Sequence, residues 1–502
     1  MKAMTSRRAF LKGLSAASFF AGGGCASILS SRSPNSQLCH ACIGTANMAR
    51  YDMEQFLANP RVKVTALCDV DASFLAAARK LVPDARIYRD WRELLASEGD
   101  RIDSLNVSTP DHTHAVIAAN AMRRGKHVYC QKPLCKYMDE SAALRRLAAE
   151  SGVVTQLGTQ IAAGSCERTA VAAMRAGIVG PVKRVILFST RNAGSRIERS
   201  IPEPAPVPPT LDWDKWIGPA PMRPYAPIYH PLNWRIFTDF GSGWVGDLCI
   251  HLASCVWLGL DIGRTMPVAV RADVNAEALT NPAYKGCWPR YSHITWEFSG
   301  LRASGGKPFS VEWFSGFSDE PAAPAEFLPP EMCREVYRKC GIDKMPYEGR
   351  VIEGEDGYLL VPHGFDLNLR PHVVMKNGKS APPLPKVGPA PTHFDEFAEC
   401  CLDGGRARSD FAWTTYMTDA ILLGGVAERL PGRRHVWDDV SKSFDAREAT
   451  ALLKSAYREG WSWRDAQNSG TDGDRPRERA VLRGFRGVSA SAALRKPAWA
   501  AP

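Results

Sequence analysis

Three residues of this 502-residue chain have types and settings suited to acid, base and charge-stabilising chemistry. Lys132 stands in "KHVYCQKPLCK", residues 126–136, directly before Pro133. His127 to Cys130 read as a short strand, with β-branched and aromatic residues and no polar alternation, as expected when both faces are covered. Gln131, Lys132 and Pro133 stop it, because proline fixes its own φ and pushes the preceding residue into extended backbone. Lys132 is therefore held at the end of a strand, where open α/β sheets place their ligands. Asp247 and His251, in "GWVGDLCIHLASCVW", are four apart at the start of a helical stretch and should share one face. An ammonium group can stabilise negative charge developing on oxygen, and a histidine can exchange protons near neutral pH. Simpler roles stay open for each: a solvated loop residue for Lys132, a helix N-cap for Asp247 and a satisfied core histidine for His251.

A second group of residues suits a nucleotide. The first strand ends in "IGTANMAR", where a dinucleotide-binding turn would read G-x-G-x-x-G. Gly44 is in place, while Ala46 and Ala49 hold the second and third positions. Alanine is tolerated at the third, but at the second its methyl stands where backbone should approach a pyrophosphate. Asp69 ends the next strand, near the spacing of a carboxylate that reads the adenosine ribose. These features make Gly44, Thr45, Ala46, Asn47, Met48 and Asp69 the candidate cofactor cradle. With Asp69 and Asp71 acidic and no adjacent base, NAD is favoured over NADP.

Such residues need a scaffold, and the alternation of apolar strands with helical segments from Gln37 to about Val154 implies a doubly wound parallel sheet. After Pro181 the pattern changes. "KRVILFSTR", "PVAVRADV", "SHITWEFS", "FSVEWFSG" and "GYLLVPH" read as half-buried strands, and a helix is expected near Thr415 to Leu430. The fold class is α/β: an N-terminal Rossmann domain over residues 36–155, then an α+β domain with a large open antiparallel sheet over 156–465. Residues 1–35 and 466–502 flank them.

The flanks have characters of their own. "TSRRAFLKGLSAASFFAGGGCAS" resembles a twin-arginine export signal, with paired Arg7 and Arg8 before an apolar stretch too short to span a bilayer. No later run reaches the ~18 apolar residues of a membrane span. A periplasmic or extracytoplasmic location after twin-arginine export is expected, with Cys25 as a possible lipid anchor. The net charge of +10 invites a nucleic-acid reading. Residues 471–502 alone carry seven Lys and Arg against three acids, a basic tail expected to be disordered. Elsewhere the basic residues are scattered without a stripe, which argues against nucleic acid. Of fourteen cysteines most sit in apolar patterns. Cys39 and Cys42 would face opposite sides of a strand, and no second pair follows at ligand spacing, so no metal site is expected.

From about Leu38 to Trp461 the chain resembles the Gfo/Idh/MocA family, through "VSTPDHTHA", "GKHVYCQKPL" and "GSGWVGDLCIHLASCVW". The family's usual Glu-Lys-Pro appears here as Gln131-Lys132-Pro133, which keeps the lysine. The resemblance implies that Lys132 lies beside nicotinamide and substrate, with Asp247 and His251 completing a catalytic set. It also implies that Thr109, Pro110, Asp111, His112, His114, Gln131 and Gln160 line the cofactor site. For His112 and His114, capping and packing outweigh metal binding.

The reaction implied is oxidation of a secondary alcohol, in which hydride leaves to NAD and a base takes the hydroxyl proton. Trp213, Trp216, Tyr225, Tyr229, His230, Trp234 and Arg235 form an aromatic-rich stretch that suits a sugar or simply a core. Arg191, Tyr229, Trp234 and Arg235 are the substrate-binding candidates. The expected protein is an exported, NAD-dependent oxidoreductase of sugars or polyols, homo-oligomeric and with a tightly held cofactor. The alternatives are an NAD-dependent glycosidase working through transient oxidation at C3, and a non-catalytic sugar-binding protein.

Overall fold

A computed structural model describes residues 37–190, 197–318, 322–364, 366 and 368–462. The export signal, Cys25, Arg191 and the basic tail lie outside the described residues.

The first sheet is built from β1 (Leu38–Ile43), β2 (Val62–Cys68), β3 (Arg86–Tyr88), β4 (Ser104–Val107), β5 (His127–Cys130) and β6 (Thr155–Leu157). Its spatial order is β3-β2-β1-β4-β5-β6, and every pairing is parallel. The helices between them are α1 (Met48–Ala58), α2 (Ala72–Arg79), α3 (Trp91–Glu98), α4 (Asp111–Arg123) and α5 (Met138–Ser151). All of β4 is buried, the two-sided burial that erases polar alternation in a parallel strand. The order reverses between β1 and β4, so the crevice at their C-terminal ends is the natural ligand position. Gly44 makes this crevice possible. Its φ is +90°, and a Cβ there would stand 2.3 Å from the Ser108 carbonyl oxygen.

The chain then runs through α6 (Ser165–Arg175) into β7 (Val182–Ser189) and, after α7 (Trp213–Ile217), a π turn at Val245–Cys249 that continues as α8 (Ile250–Gly259). Beyond it come β8 (Ala269–Val274), α9 (Glu277–Thr280), β9 (Ser292–Phe298), β10 (Phe309–Ser315) and α10 (Glu331–Lys339). The next elements are β11 (Glu348–Gly354), β12 (Gly357–Pro362), β13 (His372–Met375), α11 (His393–Asp403), α12 (Phe411–Arg429), β14 (Arg434–Asp438) and β15 (Ser443–Phe444).

The second sheet has the order β13-β12-β11-β7-β10-β9-β8-β14-β15. It is mixed rather than wholly antiparallel as expected, because β7 and β10 pair in parallel. They are far apart in sequence, so nothing ties them to a hairpin. In β9 burial alternates strictly, with Ile294, Trp296 and Phe298 facing the core. The helix α12 is apolar nearly all round and runs through the middle of the molecule, as a helix with no polar face must. Asp410 caps its start, its side chain accepting from Ala412 N. On the other flank, α11 returns to the first sheet, where Phe394 and Phe397 pack with Phe56 and Tyr129.

Candidate functional site

A cleft open to solvent lies along the C-terminal ends of β1, β2, β4 and β5. Gly44, Thr45, Ala46, Asn47 and Met48 line one wall, with Asp69, Thr109, Pro110 and Asp111 beside them. Gln131, Lys132, Trp234, Arg235 and Asp247 line the same cleft.

The β1–α1 turn suits a diphosphate. Asn47, at φ 54°, makes no side-chain cap, and the first turn of α1 has no acidic residue. Main-chain N–H groups and the positive helix end are thus left for an anion. Asp69 is turned back on this loop: its carboxylate accepts from Thr45 N and Thr45 Oγ1, both at 2.9 Å, and from Asp71 N at 3.0 Å. These bonds fix the loop against the end of β2. Burial raises the Asp69 pKa above the ordinary range in spite of them.

Lys132 and Asp247 meet across the cleft wall. Lys132 Nζ donates to Asp247 Oδ1 and to the Asp247 main-chain oxygen, both at 2.7 Å. The second bond falls within the π turn, where i→i+5 hydrogen bonds replace the α-helical pattern. Arg235 Nε lies 3.4 Å from the same Oδ1, with its guanidinium over the Trp234 ring. Burial alone would raise the Asp247 pKa, but Lys132 and Arg235 outweigh it and hold the carboxyl well below the usual range. An ammonium has three N–H donors. Two are taken by Asp247, so the third is left for an oxygen in the cleft.

The structure separates other expected site residues from this cleft. His251 is half-buried and is not among the cleft-lining residues. Its Nδ1 has no hydrogen-bond partner, and its ring lies 5.8 Å from that of His363. Burial, with Lys132 and His363 nearby, pushes its pKa well below the ordinary value, so the ring stays uncharged. The π turn at Val245–Cys249 replaces the α-helical spacing expected between Asp247 and His251, yet His251 still feels the charges of Lys132 and Asp247. His112 and His114 position loops instead of lining the cleft. His112 Nε2 contacts the Trp216 carbonyl at 3.0 Å, and the two ring nitrogens of His114 face the carbonyls of Pro133 and Thr109 at 2.7 and 2.8 Å. Gln160 is buried and does not line the cleft. Tyr229, a substrate-binding candidate, is taken up by packing: it is 4% exposed and stacks on Trp213 in an aromatic cluster.

Part of that aromatic stretch supplies residues the substrate list passed over. Lys215, Trp216, His230 and Pro231 line the cleft, because the segment around them is strapped to the end of β2. Asp212 N donates to Val70 O at 3.0 Å, and Ala72 N to Thr210 O at 2.9 Å. Arg89 bonds both of those carbonyls, and His230 Nε2 lies 3.1 Å from Asp71 Oδ2. Trp216 and His230 stand out as aromatic residues, but nothing in their spacing tells that they lie over β2.

Residues 39–159 match the family model described as oxidoreductase family, NAD-binding Rossmann fold, and residues 196–297 match its C-terminal alpha/beta domain. The chain belongs to the Gfo/Idh/MocA oxidoreductase family. Among curated proteins it is 26% identical to levoglucosan dehydrogenase of Pseudarthrobacter phenanthrenivorans over 166 residues, 32% of this chain and 34% of that protein. It is 36% identical to a glycosyl hydrolase family 109 protein of Saccharopolyspora erythraea over 107 residues, 20% of this chain and 23% of that protein. These matches thus span only about a quarter to a third of the relatives' length. The fold extends further: the WlbA dehydrogenase from Bordetella pertussis, solved with NADH and UDP-GlcNAcA, superposes with a TM-score of 0.53 at 15% identity, over 80% of this chain and 99% of that one.

Proposed function

We propose that this Gfo/Idh/MocA protein oxidises a hydroxyl of a small carbohydrate or polyol with a tightly held nicotinamide dinucleotide. The observation that carries the reading is the Lys132–Asp247 pair, set at 2.7 Å in the wall of a cleft that also contains an uncapped helix N-terminus. Similarity to levoglucosan dehydrogenase supports the substrate class.

The residues fit a dinucleotide: Gly44 to Met48 would hold its diphosphate, and Asp69 the adenosine ribose. When bound, the nicotinamide supplies a hydride acceptor. The chain does the rest. Lys132, oriented by Asp247, points its remaining N–H at the substrate oxygen and stabilises the charge that grows there as the proton leaves. His251, uncharged and set behind the cleft wall within the electrostatic reach of Lys132 and Asp247, is the proposed proton acceptor once the substrate is seated. Arg235 offers a donor to the sugar, with Trp234 packed beneath its guanidinium in the cleft wall. Asp69 and Asp71 favour NAD, since a 2′-phosphate would meet their charge, and Lys215 is already paired with Asp212 at 3.2 Å. The N-terminal pattern supports twin-arginine export of the folded, loaded protein, and the open second sheet supports pairing of two copies.

Mass spectrometry of a panel of sugars and polyols after incubation with the purified protein tests this. Loss of two hydrogens from one of them is the expected result. Similarity to a glycosyl hydrolase family 109 protein favours a second reading, elimination after transient oxidation, for which a released aglycone would be the sign. If no compound changed in mass, a sugar-binding role would replace both.

A further inference from the structure

Behind the lysine loop lies a carboxyl group that the proposed reaction does not use. Asp52, on α1, is 0% exposed. Gln131 Nε2 donates to both of its oxygens, at 3.0 and 2.8 Å, and Ser108 Oγ donates to Oδ2 at 2.7 Å. Asn106 Nδ2 in turn donates to Ser108 Oγ at 2.7 Å, so the single hydroxyl proton of Ser108 points at Asp52. Every assigned donor therefore faces the carboxylate, as suits a group that only accepts.

The other end of the Gln131 amide reaches the catalytic loop. Its Oε1 accepts from Lys132 N at 3.2 Å. The amide cannot swing away toward β6, since Gly158 packs so closely that a Cβ there would stand 2.9 Å from Gln131 Oε1. A glutamate at 131 would bring the charge on the loop itself. Here the loop is neutral at that position and the carboxylate comes from α1, in hydrogen-bond contact with the same side chain.

We infer that Asp52 is a positioning residue for the proposed oxidation, its anion locking Gln131 and through it the backbone of Lys132. Protonating Asp52 turns one of the two oxygens that Gln131 Nε2 donates to into a donor, so one of those contacts is lost, the amide is held less firmly, and its bond to Lys132 N loosens. Burial pushes the Asp52 pKa up to about 7, against the bonds from Gln131 and Ser108, with Gln160 and Lys132 also favouring the anion. The titratable groups facing it are Tyr51 on α1, Cys42 on β1, Tyr129 and Cys130 on β5, and Lys132. Burial raises the pKa of all four tyrosine and cysteine groups, so they stay neutral as Asp52 titrates. The lock should engage as pH rises through neutrality and release as it falls.

The inference rests on the proposed oxidoreductase activity, so it is tested with and without turnover. Asp52→Asn should lower turnover by ~10- to 100-fold, the scale of a misplaced reacting group, and abolish the acid limb of the pH profile near 7. Restoring the charge on the loop in the Asp52→Asn, Gln131→Glu double variant should recover most of the rate, which a merely structural residue would not allow. Ser108→Ala removes one donor to the anion and should move the limb to higher pH. Infrared difference spectra of wild type against Asp52→Asn, which need no sugar, should show one carboxyl carbonyl band disappearing as pH rises through neutrality. If the wild type oxidises nothing yet this band titrates there, the reaction is wrong and the lock stands. A band absent across neutrality, a limb unmoved by Ser108→Ala, or a double variant no faster than Asp52→Asn would each overturn the lock.

Discussion

Lys132 Nζ holds both a carboxylate oxygen and the main-chain oxygen of Asp247 at 2.7 Å, across 115 residues of sequence. The pair joins the first sheet to the helix that leads into the second, so the cleft wall is continuous only when both halves are folded. The ammonium is held by two fixed acceptors and keeps a single direction, which is the preorganisation that charge stabilisation requires.

Replacing Lys132 with Met should therefore lower turnover by ~100-fold or more while leaving dinucleotide affinity within a few-fold. Steady-state kinetics and a fluorescence titration with reduced dinucleotide separate the two. An active Lys132→Met enzyme would remove the central claim.

His251→Gln should also lower turnover, by the ~100-fold scale of a lost proton acceptor, but should keep the acid limb of the rate profile near neutrality. The reason is that His251 is uncharged throughout that range, its pKa being held well below the ordinary value by burial and by Lys132. Disappearance of the limb in His251→Gln would reassign it from Asp52 to this histidine.

The first sheet was legible because two-sided burial leaves apolar strands that alternate with helices, as they do from Leu38 to Leu157. Strand β11 was not legible. It carries Glu348, Arg350 and Glu353 and reads as polar, yet Arg350 is 0% exposed and paired with Glu167. The parallel pairing of β7 with β10 and the return of α11 to the first sheet are long-range, and no local pattern encodes them. Within the site, Lys132 and Asp247 were legible from a strand end and a helix start. Asp52 was not, since on α1 it has no motif and only its contact with Gln131 gives it meaning. Tyr229 looked like a sugar platform, because residue type alone cannot tell a stacking surface from a packed core.

The strap over the end of β2 should govern how fast the cofactor leaves. His230→Ala removes the contact with Asp71 at 3.1 Å and should speed dinucleotide release about fivefold, matching the loss of one hydrogen bond of about 1 kcal/mol. Stopped-flow displacement of reduced dinucleotide measures this. An unchanged release rate would place the barrier elsewhere in the cleft.

The buried pair between Glu167 and Arg350 should set the acid stability of the second half. Arg350 NH1 and NH2 each lie 2.6 Å from a Glu167 oxygen, and the side chains are 0% and 2% exposed. Burial alone would raise the Glu167 pKa, but Arg350 and then His363 pull it down from its ordinary 4.5 to about 2. The folded carboxyl thus gives up its proton more readily than the unfolded one. Its contribution is complete above about 4.5 and is lost as pH falls toward about 2. Removing one partner leaves the other charged and buried. Arg350→Met should cost about 3–5 kcal/mol at neutral pH, and adding Glu167→Gln should return much of it. Calorimetric melting of wild type and the double variant across this acid range decides the matter: the wild type should lose stability relative to the double variant as pH falls, and a difference independent of pH would refute the assignment.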